Sequence, residues 1–182
     1  MRRVMIVIGM ALLLVGVALQ AQTPAPKPGP EHKKLDIWVG DWTYEGENHA
    51  TPLGPAGKFS GKNSARPILG GFFIEFRGEE KGTAGTTQWL EVDGYDSVSK
   101  KFTWNVFSSD GSVQTVTYTI EGTTVPYSGT LIVGGKQYKI RGTCVFTPDF
   151  TINIDKREIS VDGKTWMPFW EAKATKVKSS PK

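Results

Sequence analysis

A chain of 182 residues is long enough for one domain with a sizeable core and too short for several. The formal charge of +4 sits at the ends: residues 31–171 carry fifteen Lys and Arg against eighteen Asp and Glu, a net −3, which leaves the folded part without a basic groove for nucleic acid. A single cysteine, Cys144, excludes an internal disulfide and a multi-cysteine metal site, while six Trp, nine Phe, five Tyr and 21 Gly favour strands and turns over helices.

Arg2 and Arg3 precede an apolar run from Val4 to Leu19. That run falls short of the roughly 20 residues a spanning helix needs, so residues 1–21 read as a secretory signal peptide. Cleavage near Gln20 or Ala21 is expected, with an uncleaved anchor as the alternative. The expected location is outside the cytoplasm, periplasmic or extracellular, with no stable membrane insertion once the signal is removed. Residues 22–30, with Pro24, Pro26, Pro28 and Pro30, read as a Pro-rich linker held extended by its prolines. The barrel domain is expected over residues 31–175, followed by a disordered basic tail, 176–182.

Leu35, Trp38 and Val39 are spaced for a short helical turn, which is expected to cap the domain. From Gly40 the pattern changes to period two, with Trp42, Tyr44 and Gly46 on one face. Gly40-Asp41-Trp42 resembles the Gly-x-Trp opening of lipocalin-like β-barrels, and Trp42 is expected to act as a structural plug at one barrel end. Lys58 to Arg66 reads as a strand broken by Pro67 and Gly70-Gly71. The third strand, Gly71 to Arg77, sets Ile74 and Phe76 on one face. A Gly-rich connection is expected from Glu79 to Gly85. In Thr87 to Asp93, Gln88, Leu90 and Val92 alternate with Trp89, Glu91 and Asp93. Lys101 to Ser108 groups Phe102, Trp104 and Val106, and Asp110-Gly111 is a strong hairpin signal. Ser112 to Glu121 places Gln114, Val116 and Tyr118 together. Tyr127 to Val133 and Lys136 to Phe146 form a further hairpin with Tyr138, Ile140 and Cys144 on a shared face. Thr151 to Ser160 and Trp166 to Lys173 complete the set.

Evenly spaced strands joined by tight turns predict an all-β fold. It is an antiparallel up-and-down lipocalin-like barrel of about eight to ten strands with a short N-terminal helical turn, because closure removes exposed sheet edges. A two-sheet sandwich has the same local signature. Four stretches in order resemble the DUF1579 family of bacterial domains with a lipocalin-like fold: Leu35 to Gly46; Arg66 to Phe73; Gly94-Tyr95-Asp96 with Phe102 and Trp104; and Asp162-Gly163-Lys164 before the last strand. The resemblance implies a calycin-type barrel with a small-molecule pocket and carries over no catalytic residues. The family's Gly-Gly-Arg variant is Gly70-Gly71-Phe72 here. A related barrel, nitrobindin, holds haem through a histidine near its C-terminal strand; residues 164–175 contain no His, so no haem and no other cofactor is expected.

If the faces carrying Trp42, Phe72, Phe102 and Val116 point inward, the candidate ligand-binding residues are Tyr44, Gln88, Trp104, Gln114, Tyr118 and Tyr138. The glutamines would orient the polar end of a small, mainly apolar partner molecule. An unpaired buried amide or hydroxyl costs about 2–7 kcal/mol, so these groups require water, one another or a ligand. A filled core in which they pair together is the alternative. Trp89 and Phe107 are then outer aromatics, Arg66 faces solvent, and His32, His49, Glu79 and Glu80 are surface residues. No nucleophile elbow, metalloprotease helix, phosphate loop or dinucleotide fingerprint is present. Three functions stay open at this level: an exported small-molecule binder, a barrel enzyme acting on such a ligand, and an interaction module with a filled core. Ligand identity and oligomeric state are likewise open.

Overall fold

A computed structural model describes residues 26–178. The expected signal peptide lies outside the described residues, as do the first part of the linker and the end of the tail. Ten antiparallel strands run β1 (Gly40–Asn48), β2 (Gly57–Ile68), β3 (Phe73–Gly82), β4 (Gly85–Asp96), β5 (Lys101–Ser108), β6 (Val113–Tyr118), β7 (Thr124–Val133), β8 (Lys136–Phe146), β9 (Ile152–Ser160) and β10 (Met167–Lys176). Each pairs with its neighbour in sequence, and β10 returns to β1 with Ala174 opposite Tyr44, so the sheet closes into a barrel without a free edge.

The N-terminal turn forms where its residues predict it. Pro30 opens helix α1 (Pro30–Lys33), where its missing N–H is harmless, and a 3₁₀ turn (Lys34–Ile37) follows. The Gly29 N–H donates to His32 Nδ1 at 3.1 Å. Gly40, with φ of 142°, supplies a conformation that a side chain rarely adopts at the switch from turn to strand. The turn closes one end of the barrel. Leu35 is fully buried, and Trp38 meets Phe146 edge-on at 4.8 Å between ring centroids. Trp42 Nε1 donates to the Trp38 carbonyl at 2.8 Å. Lys176 Nζ lies 4.8 Å from the Trp42 ring centre and donates to the Ile37 carbonyl at 3.3 Å, tying the cap to the last strand.

Several strands run further than their sequence suggests. β2 continues through Pro67 to Ile68, because beyond Ala65 it has only β3 as a partner, and a residue without an N–H is tolerated there. β3 runs through Glu79 and Glu80 to Gly82 in place of a Gly-rich connection, with Glu79 paired to Lys62 across the sheet at 3.3 Å. At the other end of the chain, β10 reaches Lys176, opposite Trp42, and the Val177 N–H donates to the Asp41 carbonyl at 2.7 Å.

Inside the barrel, large rings lie against glycines on the facing strand. Phe59 stands opposite Gly46, Tyr44 opposite Gly61, Trp89 opposite Gly78 and Tyr127 opposite Gly142. In each pair a Cβ on the glycine would collide with the ring. The rings therefore lie along the wall rather than across the lumen, which covers the bare glycine backbone and leaves the centre open. Gly142→Ala meets both the Tyr127 ring and the Lys156 carbonyl and is expected to cost about 1–3 kcal/mol in urea unfolding. Gly54→Ala, which meets nothing within 4 Å, should stay within roughly 0.5 kcal/mol of the parent.

Candidate functional site

The lumen holds a cavity of about 500 Å³, so the interior is not filled. The cavity is floored near Trp38 and Trp42 and reaches the opposite end, where the β1–β2 loop, the β3–β4 turn and Asp110 surround it. Of the residues expected to line a pocket, Tyr44, Trp104 and Gln114 do so. Tyr118 and Tyr138 point inward and are buried, but they stand outside the cavity wall. Trp42 is buried beneath the helical turn and forms part of the floor.

Gln88 requires correction. It is exposed and lies on the outer face, because β4 pairs with β3 and β5 so that Phe76, Glu91 and Val106 share the inner row. The same register turns Trp89, expected outside, into the lumen, where its Nε1 donates to the Tyr44 hydroxyl at 3.2 Å. Glu80 also faces the cavity rather than solvent, and His49 stands at the mouth. Phe107 and Arg66 are on the outer face as expected; Arg66 pairs with Asp41 at 2.6 Å.

The register collects a polar network that the sequence pattern hides. Glu91 and Asp93 on β4 face Asp155 and Arg157 on β9 across the lumen. Arg157 Nη2 and Nε donate to Asp155 Oδ2 at 2.8 and 3.1 Å, and Nη1 donates to Gln114 Oε1 at 3.4 Å. The other Asp155 oxygen accepts from the Tyr127 hydroxyl at 2.6 Å. The guanidinium stacks 4.3 Å from the Trp170 ring centre. Deeper in the barrel, Asp93 is 1% exposed; its Oδ2 accepts from the Tyr118 hydroxyl at 2.6 Å, while Oδ1 has no hydrogen-bond partner among the described residues. Trp104 Nε1 and Asn63 Oδ1, both from cavity-lining residues, are buried and equally without partners among the described residues.

Burial governs the ionisation of this network. It pushes the Glu91 carboxyl up to about 7, with Asp93 and the positive charge of Arg157 pulling the other way. Asp93 is held well above the ordinary carboxylate range by burial and by the neighbouring Glu91 charge. Burial raises Glu80 as well, partly opposed by Arg157. Burial would lower Arg157, but the Asp155 carboxylate more than reverses it, so the guanidinium stays charged. Cys144 is buried in β8 and its thiol is pushed up by that burial, which fits a core residue rather than a nucleophile.

Sequence reasoning missed Glu80, Glu91, Asp93, Asp155 and Arg157. Glu80, Glu91 and Asp93 sit at period two with an aromatic or small residue facing inward, as in Trp89-x-Glu91-x-Asp93-x-Tyr95, whereas Asp155 and Arg157 stand in the row Asn153, Asp155, Arg157, Ile159, which carries no such signal. Assigning the more apolar face to the interior fails when the lumen itself is polar.

Residues 27–174 match the family described as "Protein of unknown function (DUF1579)". The chain belongs to the DUF1579 family. None of the curated proteins matches it. Among solved structures, this DUF1579 barrel is similar to Rv2717c from M. tuberculosis, with a TM-score of 0.60 and 10% identity over 82% of this chain and 99% of the other. It is also similar to the S-type phycobiliprotein lyase CPES from Guillardia theta, with a TM-score of 0.51 and 11% identity over 84% of this chain and 94% of that one. At these identities the likeness is one of fold.

A carboxyl raised by folding binds its proton more tightly folded than unfolded. Its stabilising contribution is complete below the unfolded value near 4.5 and is lost as pH rises toward about 7. Within that window Glu91 is expected to cost up to about 1.4 kcal/mol per pH unit. Glu91→Gln should remove this slope, measured as the difference between the two proteins in urea unfolding at a series of pH values.

Proposed function

We propose that this is an exported barrel that binds a small, mainly apolar molecule in its lumen. The observation that carries the reading is the open cavity of about 500 Å³, whose wall combines the rings of Tyr44, Trp89, Trp104 and Trp170 with a few polar side chains, Gln114 among them. Ligand cavities run from about 300 to 1,000 Å³ and carry a few placed polar groups on an apolar lining.

Tyr44 and Trp104 supply wall area and Gln114, held by Arg157, presents its amide to the polar end of the ligand. Tyr118 and Tyr138 back the wall without touching the guest. Gln88 has no part in the site. The shared fold with a phycobiliprotein lyase supports a barrel used as a container. Export rests on Arg2, Arg3 and the apolar run from Val4 to Leu19.

The test is native mass spectrometry of the protein purified from cells that produce it naturally, followed by extraction of any retained molecule. A stoichiometric adduct is expected. Ala172, buried in the cavity wall, offers the control: Ala172→Phe places a ring in the lumen and should abolish the adduct while the protein stays folded. An adduct of unchanged mass and occupancy in the variant would place the molecule elsewhere and contradict the reading.

A further inference from the structure

The lumen is unbalanced in charge. Glu80, Glu91 and Asp155 line the cavity and Asp93 stands behind Glu91, whereas Arg157 is the one guanidinium turned inward among the described residues. Arg157 is already committed to Asp155 and Gln114, and among the described residues no ion pair reaches Glu80, Glu91 or Asp93. Lys176 does not help, since its ammonium sits at the closed end over Trp42 and on the Ile37 carbonyl. Asp110 at the mouth adds a further carboxyl. Four interior carboxyls thus share one guanidinium, and that guanidinium is already bonded to Asp155.

A second, independent feature is the aromatic wall. Tyr44, Trp89, Trp104 and Trp170 border the same cavity, and Arg157 already lies over Trp170, with Trp104 5.7 Å away. Ring faces attract cations, most strongly where water is excluded. Trp104 is 5% exposed and its indole N–H has no partner, and the unpaired Asn63 Oδ1 is an acceptor that no protein donor reaches.

Resting on the reading of the barrel as a small-molecule binder, we infer that its ligand class is the organic cation: a protonated amine on an apolar body, with the ammonium against Glu91 and the body along the Trp and Tyr wall. The ammonium adds a second positive charge beside Glu91 and Asp93, where one guanidinium now serves four carboxyls. A carboxylate guest would meet the same acids with the wrong sign, and a wholly apolar guest would leave their charge unmet.

Binding then couples to ionisation. Asp93 on the same strand, Asp155 and Arg157 on β9, Glu80 on β3 and the Tyr118 and Tyr127 hydroxyls are the charged or titratable groups around Glu91. At low pH Glu91 carries a proton that an arriving ammonium must displace, so affinity for an amine should rise with pH until Glu91 is ionised.

Three probes with one apolar body decide the matter: 4-phenylbutylamine, 4-phenylbutan-1-ol and 4-phenylbutyrate, titrated calorimetrically into the purified protein. The amine should bind about tenfold or more tighter than the alcohol and the carboxylate near pH 8, and this advantage should shrink as pH falls below about 6. Titrations in buffers of different ionisation heat should show proton release on amine binding near pH 6, a readout that needs no variant. Glu91→Gln should bring the amine down to the affinity of the alcohol. Equal or tighter binding of the alcohol or carboxylate, no proton release, or a retained amine preference in Glu91→Gln overturns the cation assignment while leaving the pocket in place. Failure of all three probes to bind overturns the pocket reading itself.

Discussion

The interior of this barrel is organised by the pairing of Arg157 with Asp155. A guanidinium enters a lumen only if its charge is met there, and Asp155 meets it through two of its N–H groups while Tyr127 holds the second carboxylate oxygen. The pair fixes β9 with its polar residues inward, and the stacking of Arg157 on Trp170 carries that order into β10, the strand that closes the barrel on β1. Gln114 on β6 joins from the far side, so one side chain links three strands around the cavity. Removing Arg157 would leave Asp155 buried without its partner.

Around that pair the fold separates two tasks. The end near the helical turn is packed: Leu35, Trp38, Trp42 and Phe146 shut it, with Lys176 as a clasp. The end near Asp110 stays open. Between them the aromatic rings lie flat on facing glycines, which makes a lined cavity where interdigitated side chains would have made a solid core. Burial raises the proton affinity of Glu80, Glu91 and Asp93, and the shortage of positive partners around them is the chemical character of the site.

Much of the architecture was legible in the sequence. Period-two alternation, Asp110-Gly111 and the Gly40-Asp41-Trp42 entry point to an antiparallel barrel with a capped end, and ten closed strands follow that reading. Tyr44, Trp104 and Gln114 stand on the cavity wall because they share faces with apolar neighbours. The site's charges were not legible for a physical reason. Which face of β4 turns inward is set by pairing with Phe76 and Val106, not by hydrophobicity. Leu90 and Val92 therefore lie outside while Glu91 and Asp93 go in, and Gln88 goes out with the leucine. Likewise the polar run Glu79-Glu80-Lys81 reads as a turn, yet it extends β3 because a polar lumen accepts Glu80.

The account stands or falls on whether the lumen holds neutral carboxylic acid at neutral pH. Infrared spectroscopy reads this directly, since a protonated carboxyl has a carbonyl-stretch band well separated from that of a carboxylate. The band is expected in the native protein near neutrality, with a component that fades as pH rises through about 7 and is missing in Glu91→Gln. A spectrum without any protonated-carboxyl band at neutral pH would mean that the interior acids are ionised and compensated, and would contradict the account.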